Sequence, residues 1–252
     1  SISLQDGDAR PLDGPTEVGS GLVHLQPVLL SQLIDLVNER FGTDFNQADQ
    51  LFFDQIVEAA MAVLLRRRDL EGETVLVTAG PTVEDIDPVR FVSNRSSGKM
   101  GYRLAEAARD RGAKVILVSG PTGLPAPHGV EVVSVRSAQD MHRAVADRVG
   151  PVTVVIAAAA VSDYRPAGAS ASKVKKGDGP VTLELVRTPD ILKGLGEAKG
   201  GRLLVGFAAE TEDIVGNARK KLEAKNLDLV VANDVTAPGA GFGGDTNAVV
   251  LL

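Results

Sequence analysis

From Glu73 to the C-terminus, short continuous apolar runs alternate with amphipathic segments, and this alternation limits the possible folds more than any other feature. The runs are Thr74–Thr78, Lys114–Ser119, Glu131–Val135, Val152–Ala158, Leu203–Phe207, Leu227–Ala232 and Ala248–Leu252. Most are unbroken rather than alternating, the pattern of parallel strands covered on both faces. Helical spacing appears at Lys99–Arg111, Ala138–Arg148, Pro189–Ala198 and Thr211–Lys225. Together these predict an α/β fold, a doubly wound and mostly parallel sheet with ligands beyond the carboxyl ends of its strands. Between Val161 and Thr188 the rhythm breaks, with no helix signal, and a flap insertion carrying a short extra strand (VTLELV) is expected there.

The chain before Glu73 is of another kind. Residues 1–58 hold only Arg10 and Arg40 against ten acidic residues, a net charge of −8, whereas the rest carries +2. Four of the seven Phe, at positions 41, 45, 52 and 53, also fall there. Residues 1–20 read as an extended polar arm. VLLSQLIDLVNERF (Val28–Phe41) has helical spacing, and a second helix is expected from about Asn46 to Asp69. The expected organisation is a small helical segment (1–58), a linker helix (59–72) and an α/β domain (73–252). The chain ends on a strand without a closing helix, which reads as truncation.

Composition removes several chemistries. With Cys 0 there is no cysteine nucleophile, thiolate zinc site, cysteine-ligated cluster or redox CxxC. His24, His128 and His142 are too scattered for a His-x-x-x-His pair, and no GxSxG elbow occurs. A net charge of −6 lacks the basic face of a nucleic-acid binder. No run approaches the ~18 apolar residues of a membrane span and no signal peptide opens the chain, so a cytoplasmic location is expected. GAGFGG (Gly239–Gly244) matches GxGxxG literally but precedes a strand, so it reads as a loop. No acidic residue ends the second strand at Ser119-Gly120, which weakens an NAD(P) oxidoreductase reading.

Three segments carry ligand chemistry. SNRSSGKMG (Ser93–Gly101) leads into a helix; Ser96, Ser97 and Gly98 let backbone amides approach an anion, and Lys99 adds charge. It is no Walker motif, because Ser93 and Met100 stand where Gly and Ser/Thr belong. A loop that serves only to cap the helix is the alternative. Gly80 sits in the AGPT turn after the first strand, as a further candidate for ligand approach. In AAAVSDYRP (Ala158–Pro166), small residues admit a flat ring or ribose, and Asp163 is placed to orient a ligand or divalent ion. The flap holds Lys173-Val174-Lys175-Lys176, either a solvated face or a polyphosphate clamp. Lys221 and Lys225 lie one turn apart at a helix C-terminus, where dipole stabilisation is the alternative role.

GPTVEDIDPVRFVSNRSSGKMG, AAAVSDYRP, KVKK, TPDIL, GFAAET, ARKKLEAKNLDLVVANDV and the final GF…NA closely resemble, in this order, the phosphopantothenate–cysteine ligase domain of bacterial coenzyme A biosynthesis, over roughly Glu73–Leu252. The resemblance implies a Rossmann-like fold and a two-step ligation of phosphopantothenate, L-cysteine and CTP. An acyl-cytidylate forms first, and the cysteine amine then displaces CMP. It implies Asn94 at the acyl centre, Ala157, Ala158 and Ala159 beside the nucleotide, and Asp163 on the nucleotide or its metal, Mg2+ or Mn2+. Lys173 would meet the phosphates; Pro189, Asp190, Ile191 and Leu192 would line the cytidine pocket, completed by Phe207, Lys221 and Lys225. A homodimer is implied, with neither nucleic acid nor membrane as partner. The flavin-dependent decarboxylase that precedes the ligase in bifunctional relatives uses a cysteine this chain lacks, so no FMN is expected. Pro15–Ile56 instead resembles a C-terminal fragment of type I restriction-enzyme motor subunits, which reads as a fusion or chimera. The rival readings are a non-catalytic nucleotide-binding fragment joined to an interaction segment and, on weaker grounds, an NAD(P) oxidoreductase.

Overall fold

The computed structural model describes residues 68–210, 212–234 and 249–252; the GAGFGG segment and the expected N-terminal helices up to residue 67 lie outside them, while residues 69–72, the expected end of the linker helix, form a turn instead. The chain divides into two units between Arg66 and Arg67, and the described residues all belong to the second. The central strand β1 (Thr74–Ala79) is followed by a hairpin, β2 (Val83–Asp85) and β3 (Phe91–Ser93), then α1 (Lys99–Asp110), β4 (Lys114–Ser119) and β5 (Glu131–Ser134). α2 (Ala138–Ala146) leads to β6 (Val154–Ala157), and a second hairpin, β7 (Tyr164–Pro166) and β8 (Leu185–Arg187), brackets the flap. α3 (Ile191–Glu197), β9 (Leu203–Glu210), α4 (Ile214–Ala224), β10 (Leu229–Asp234) and β11 (Val249–Leu251) complete the described chain.

The main sheet has the order β11-β10-β9-β6-β1-β4-β5. Every pair in it is parallel except β10–β11. The fold is therefore the doubly wound, mostly parallel α/β sheet expected. From β1 the chain moves outward through β4 to β5, then crosses back by α2 to β6 on the other flank of β1. That reversal opens a crevice at the carboxyl ends of β1 and β6, where a doubly wound sheet binds ligands.

Period-2 alternation sends successive residues of β1 to opposite cores. Val75, Val77 and Ala79 pack with Leu117 and with Tyr102, Ala105 and Ala108 of α1. Leu76 faces the other way, with Met141 of α2, Ile191 and Leu195 of α3, and Leu204. Leu76, Leu117, Met141 and Leu204 are fully buried, each stabilising the fold by roughly 1.5–3 kcal/mol relative to exposure. Gly101 lets α1 sit directly on β1: a Cβ there would stand 2.5 Å from that of Ala79.

Helix starts follow local capping chemistry. Ser137 and Asp140 form a reciprocal capping box on α2, and the buried Glu84 accepts the Ala138 N–H at 2.8 Å, tying β2 to the same helix end. Asp190 caps α3 by accepting the Lys193 N–H at 3.0 Å, so the helix begins two residues after the expected Pro189. The hairpin β2–β3 was not expected, and the extra strand in the flap is shorter and later than VTLELV. Only Leu185–Arg187 pairs, antiparallel to Tyr164–Pro166. Among the described residues no helix is long and apolar enough to cross a membrane.

Candidate functional site

Two cavities occupy the crevice, and small residues at the strand ends make room for them. The first, 340 Å³, lies where β6 and β9 end, lined by Ala157, Ala159, Phe207 and the Pro189–Leu192 segment entering α3. Lys221 of α4 and Lys225, which caps the C-terminus of that helix, reach it from one side and Arg187 of β8 from another. The second, 510 Å³, is bounded by loop 94–98 and the first turn of α1, by Ala158–Val161 and by Ala208, Ala209 and Asn233. Ala159, Val161, Asp163, Phe207 and Lys221 line both, so the cavities share one wall.

Hydroxyl and amide side chains fix that wall. Thr78 Oγ1 accepts the Ala159 N–H at 3.2 Å and Thr82 Oγ1 that of Ser162 at 2.9 Å. Thr188 Oγ1 donates to the Ser162 carbonyl at 2.6 Å. Across the second cavity, Asn94 Nδ2 donates to the Val161 carbonyl at 3.0 Å, while Ser93 Oγ donates to that of Thr82 at 2.7 Å. Loop 94–98 is thereby tied to the strand-end segment 158–162.

The electrostatics favour anions. Lys221 Nζ donates to the Phe207 carbonyl at 2.5 Å, which places its charge at the shared wall. Lys225 Nζ stands 3.0 Å from Asp190 Oδ1. Burial pushes the Asp190 carboxyl up, but the Lys193 N–H, the Lys225 ammonium and the charge of Lys221 leave it below its ordinary value. Arg95 and Lys99 bring positive charge to the second cavity.

The ligand-binding candidates singled out from the sequence line these cavities, except Gly80 and the flap lysines Lys173, Lys175 and Lys176. Gly80 adopts a left-handed backbone (φ 72°), and a Cβ there would meet Thr122 Cγ2 at 2.8 Å. Its glycine requirement thus comes from backbone conformation and packing. Lys173 is exposed in the flap, outside both cavities. No acidic side chain of the kind that holds a dinucleotide ribose fits at position 120 after β4, because a Cβ on Gly120 would stand 1.7 Å from the Pro81 carbonyl oxygen. Tyr102, Ser119 and Thr122 close the same corner by hydrogen bonds of 3.2 and 3.1 Å.

Sequence reasoning missed Arg187, which lies outside every motif, and did not single out Tyr164 and Asn233 within AAAVSDYRP and VVANDV. Tyr164 and Arg187 meet through the β7–β8 pairing, for which three-residue strands gave no signal. Arg95 was legible, since it stands inside SNRSSGKMG. Among the described residues no cluster of three His, Cys, Asp or Glu could hold a metal. Asp163, exposed and lining both cavities, could offer a single carboxylate to Mg2+, a cation that usually takes only one or two protein carboxylates beside substrate phosphates.

The family model described as the DNA/pantothenate metabolism flavoprotein C-terminal domain matches residues 70–252. The coenzyme A biosynthesis bifunctional protein CoaBC of Bacillus subtilis (strain 168) is 60% identical over 184 residues, 73% of this chain and 45% of that protein. The chain thus spans less than half of this relative. A crystal structure of the C-terminal domain of a CoaBC protein is similar at TM-score 0.60 and 49% identity, covering 73% of this chain and 87% of that one. The DNA/pantothenate metabolism flavoprotein of Streptococcus pneumoniae follows at TM-score 0.61 and 29% identity, covering 71% and 92%. The comparisons give no support to the likeness of residues 15–56 to restriction-enzyme motor subunits, and the family match begins only at residue 70.

Proposed function

Because the chain belongs to the family of the DNA/pantothenate metabolism flavoprotein C-terminal domain, we propose that residues 70–252 form a CTP-dependent phosphopantothenate–cysteine ligase of coenzyme A biosynthesis. The observation that carries the reading is the wall common to the two cavities. A ligase that activates an acid with a nucleotide must bring two large substrates together at one small reacting centre.

In the first step the phosphopantothenate carboxylate attacks the α-phosphorus of CTP and pyrophosphate leaves, giving an acyl-cytidylate. In the second the cysteine amine attacks the acyl carbon, loses a proton, and CMP departs. The first cavity, with Ala157, Phe207 and Pro189–Leu192, suits cytidine. Lys221 and Lys225 suit its phosphates, and Lys173 would join them from the flap. The second cavity suits the phosphopantothenate arm, with its phosphate at Ser96, Ser97, Gly98 and Lys99. Mg2+ or Mn2+ held by Asp163 and the nucleotide would neutralise polyphosphate charge. Asn94 Nδ2 already points at a carbonyl oxygen; turned to the acyl oxygen, it stabilises the charge that develops during amine attack.

A cytoplasmic location and a homodimer go with this reading. The exposed apolar residues of the two hairpins, Val89, Phe91 and Leu185, with Val181 in the flap, supply a face for a second copy.

The deciding experiment supplies CTP, Mg2+ and phosphopantothenate with and without cysteine, and measures pyrophosphate and CMP. Wild-type protein is expected to release CMP only with cysteine. Asn94→Asp should still release pyrophosphate, while cysteine-dependent CMP falls about 100-fold or more. Absence of CMP from folded wild-type protein overturns the ligase reading; rapid transfer by the variant removes Asn94 from its role.

A further inference from the structure

We propose that the Asp87–Arg90 turn, between β2 and β3, is a clasp that positions Lys173 for the CTP-dependent step without touching either substrate. The inference rests on the ligase reading for its chemistry and on geometry for the clasp itself. Asp87 is 2% exposed, and its carboxylate is fully engaged. Oδ1 accepts the N–H groups of Val89 at 2.8 Å and Arg90 at 2.9 Å. Oδ2 accepts Arg90 Nε at 3.0 Å and Nη2 at 2.6 Å.

The remaining partner lies far away in sequence. Oδ2 also accepts the Val174 N–H at 3.1 Å, and Arg90 Nη2 donates to the Val174 carbonyl at 2.5 Å. A single ion pair thus holds both backbone polar groups of the residue beside Lys173. The Ser170 N–H donates to the Ile86 carbonyl at 2.9 Å, a second tie to the same turn. Residues 167–185 are all exposed, so no core packing orients the flap. Among the described residues, the hydrogen bonds that 168–180 make outside the flap go to Ile86, Asp87 and Arg90. Adjacent Cα atoms are 3.8 Å apart, so fixing Val174 fixes the base of the Lys173 side chain and leaves its four-carbon stem free to reach.

A turn that only stabilised itself would need the two local N–H bonds and the Arg90 pair. The Val174 bonds serve the flap. The test compares Asp87→Asn in the wild-type and Lys173→Gln backgrounds, reading hydrogen exchange of the flap peptide containing Val174 and kcat/KM for CTP in pyrophosphate release. Asp87→Asn is expected to speed flap exchange and to lower kcat/KM for CTP about 10- to 100-fold, as misplacement of a reacting group does. In the Lys173→Gln background that loss should vanish, because there is no ammonium left to place. Equal losses in both backgrounds, or unchanged flap exchange, would overturn the clasp. If wild-type protein releases no pyrophosphate, the ligase reading fails and flap exchange alone decides whether Asp87 holds Val174. Should Asp87→Asn disturb folding, Arg90→Lys keeps the carboxylate but loses the fork, and the same two readouts apply.

Discussion

Burial pushes the Asp87 carboxyl upward, but hydrogen bonds from the Arg90 guanidinium and from the N–H groups of Val89, Arg90 and Val174 hold it well below the usual carboxylate range. A folded value depressed below the unfolded one of about 3.9 has a definite sign. The stabilisation is complete above that pH and is lost as pH falls through the folded value. The Val174 amide should therefore stay protected from neutral pH down to about pH 4 and open only in stronger acid. Hydrogen exchange corrected for its intrinsic rate checks this, and loss of protection at pH 5 would contradict it. Ion pairs such as Arg136–Asp85 and Arg111–Asp69 are different, being about half exposed on both sides and worth about 0–1 kcal/mol each.

At the scale of elements, the contact of α1 with β1 gives the sharpest prediction. Ala is intrinsically better than Gly within a helix by about 1 kcal/mol, so Gly101→Ala would stabilise a free helix. Here the added methyl meets Ala79, whose Cβ and Cα would lie 2.5 and 3.1 Å away. Overpacking of this kind costs about 1–3 kcal/mol, and urea unfolding should show net destabilisation; a higher midpoint would mean that α1 can shift. The same contrast explains what could be read in advance. β1 and β4 were legible because buried runs such as TVLVTA and KVILVS keep apolar residues on both faces. The hairpins were not, since VED, FVS, YRP and LVR are too short to show a period and their pairing joins residues as distant as Tyr164 and Arg187. Most of the cavity lining was visible as small-residue and lysine motifs at strand ends. The tie between Asp87 and Val174 was not, because it depends on where a loop returns in space.

For the whole molecule, the apolar residues left outside on the hairpins should determine association. Val181 is 76% exposed, Val89 58% and Phe91 54%. Light scattering is expected to give twice the 26.3 kDa chain mass, and Phe91→Asp with Leu185→Asp to give the single mass without loss of secondary structure. A monomeric wild type would rule this face out. The shared wall has a consequence of another order. On the ligase reading proposed above, an acyl-cytidylate would span both cavities and be gripped by two handles at once. When one end lets go, the other keeps it near its vacated seat at an effective concentration of order millimolar, and rebinding outruns escape. A mixed anhydride set loose would be spent by water; one moored at both ends waits for its amine.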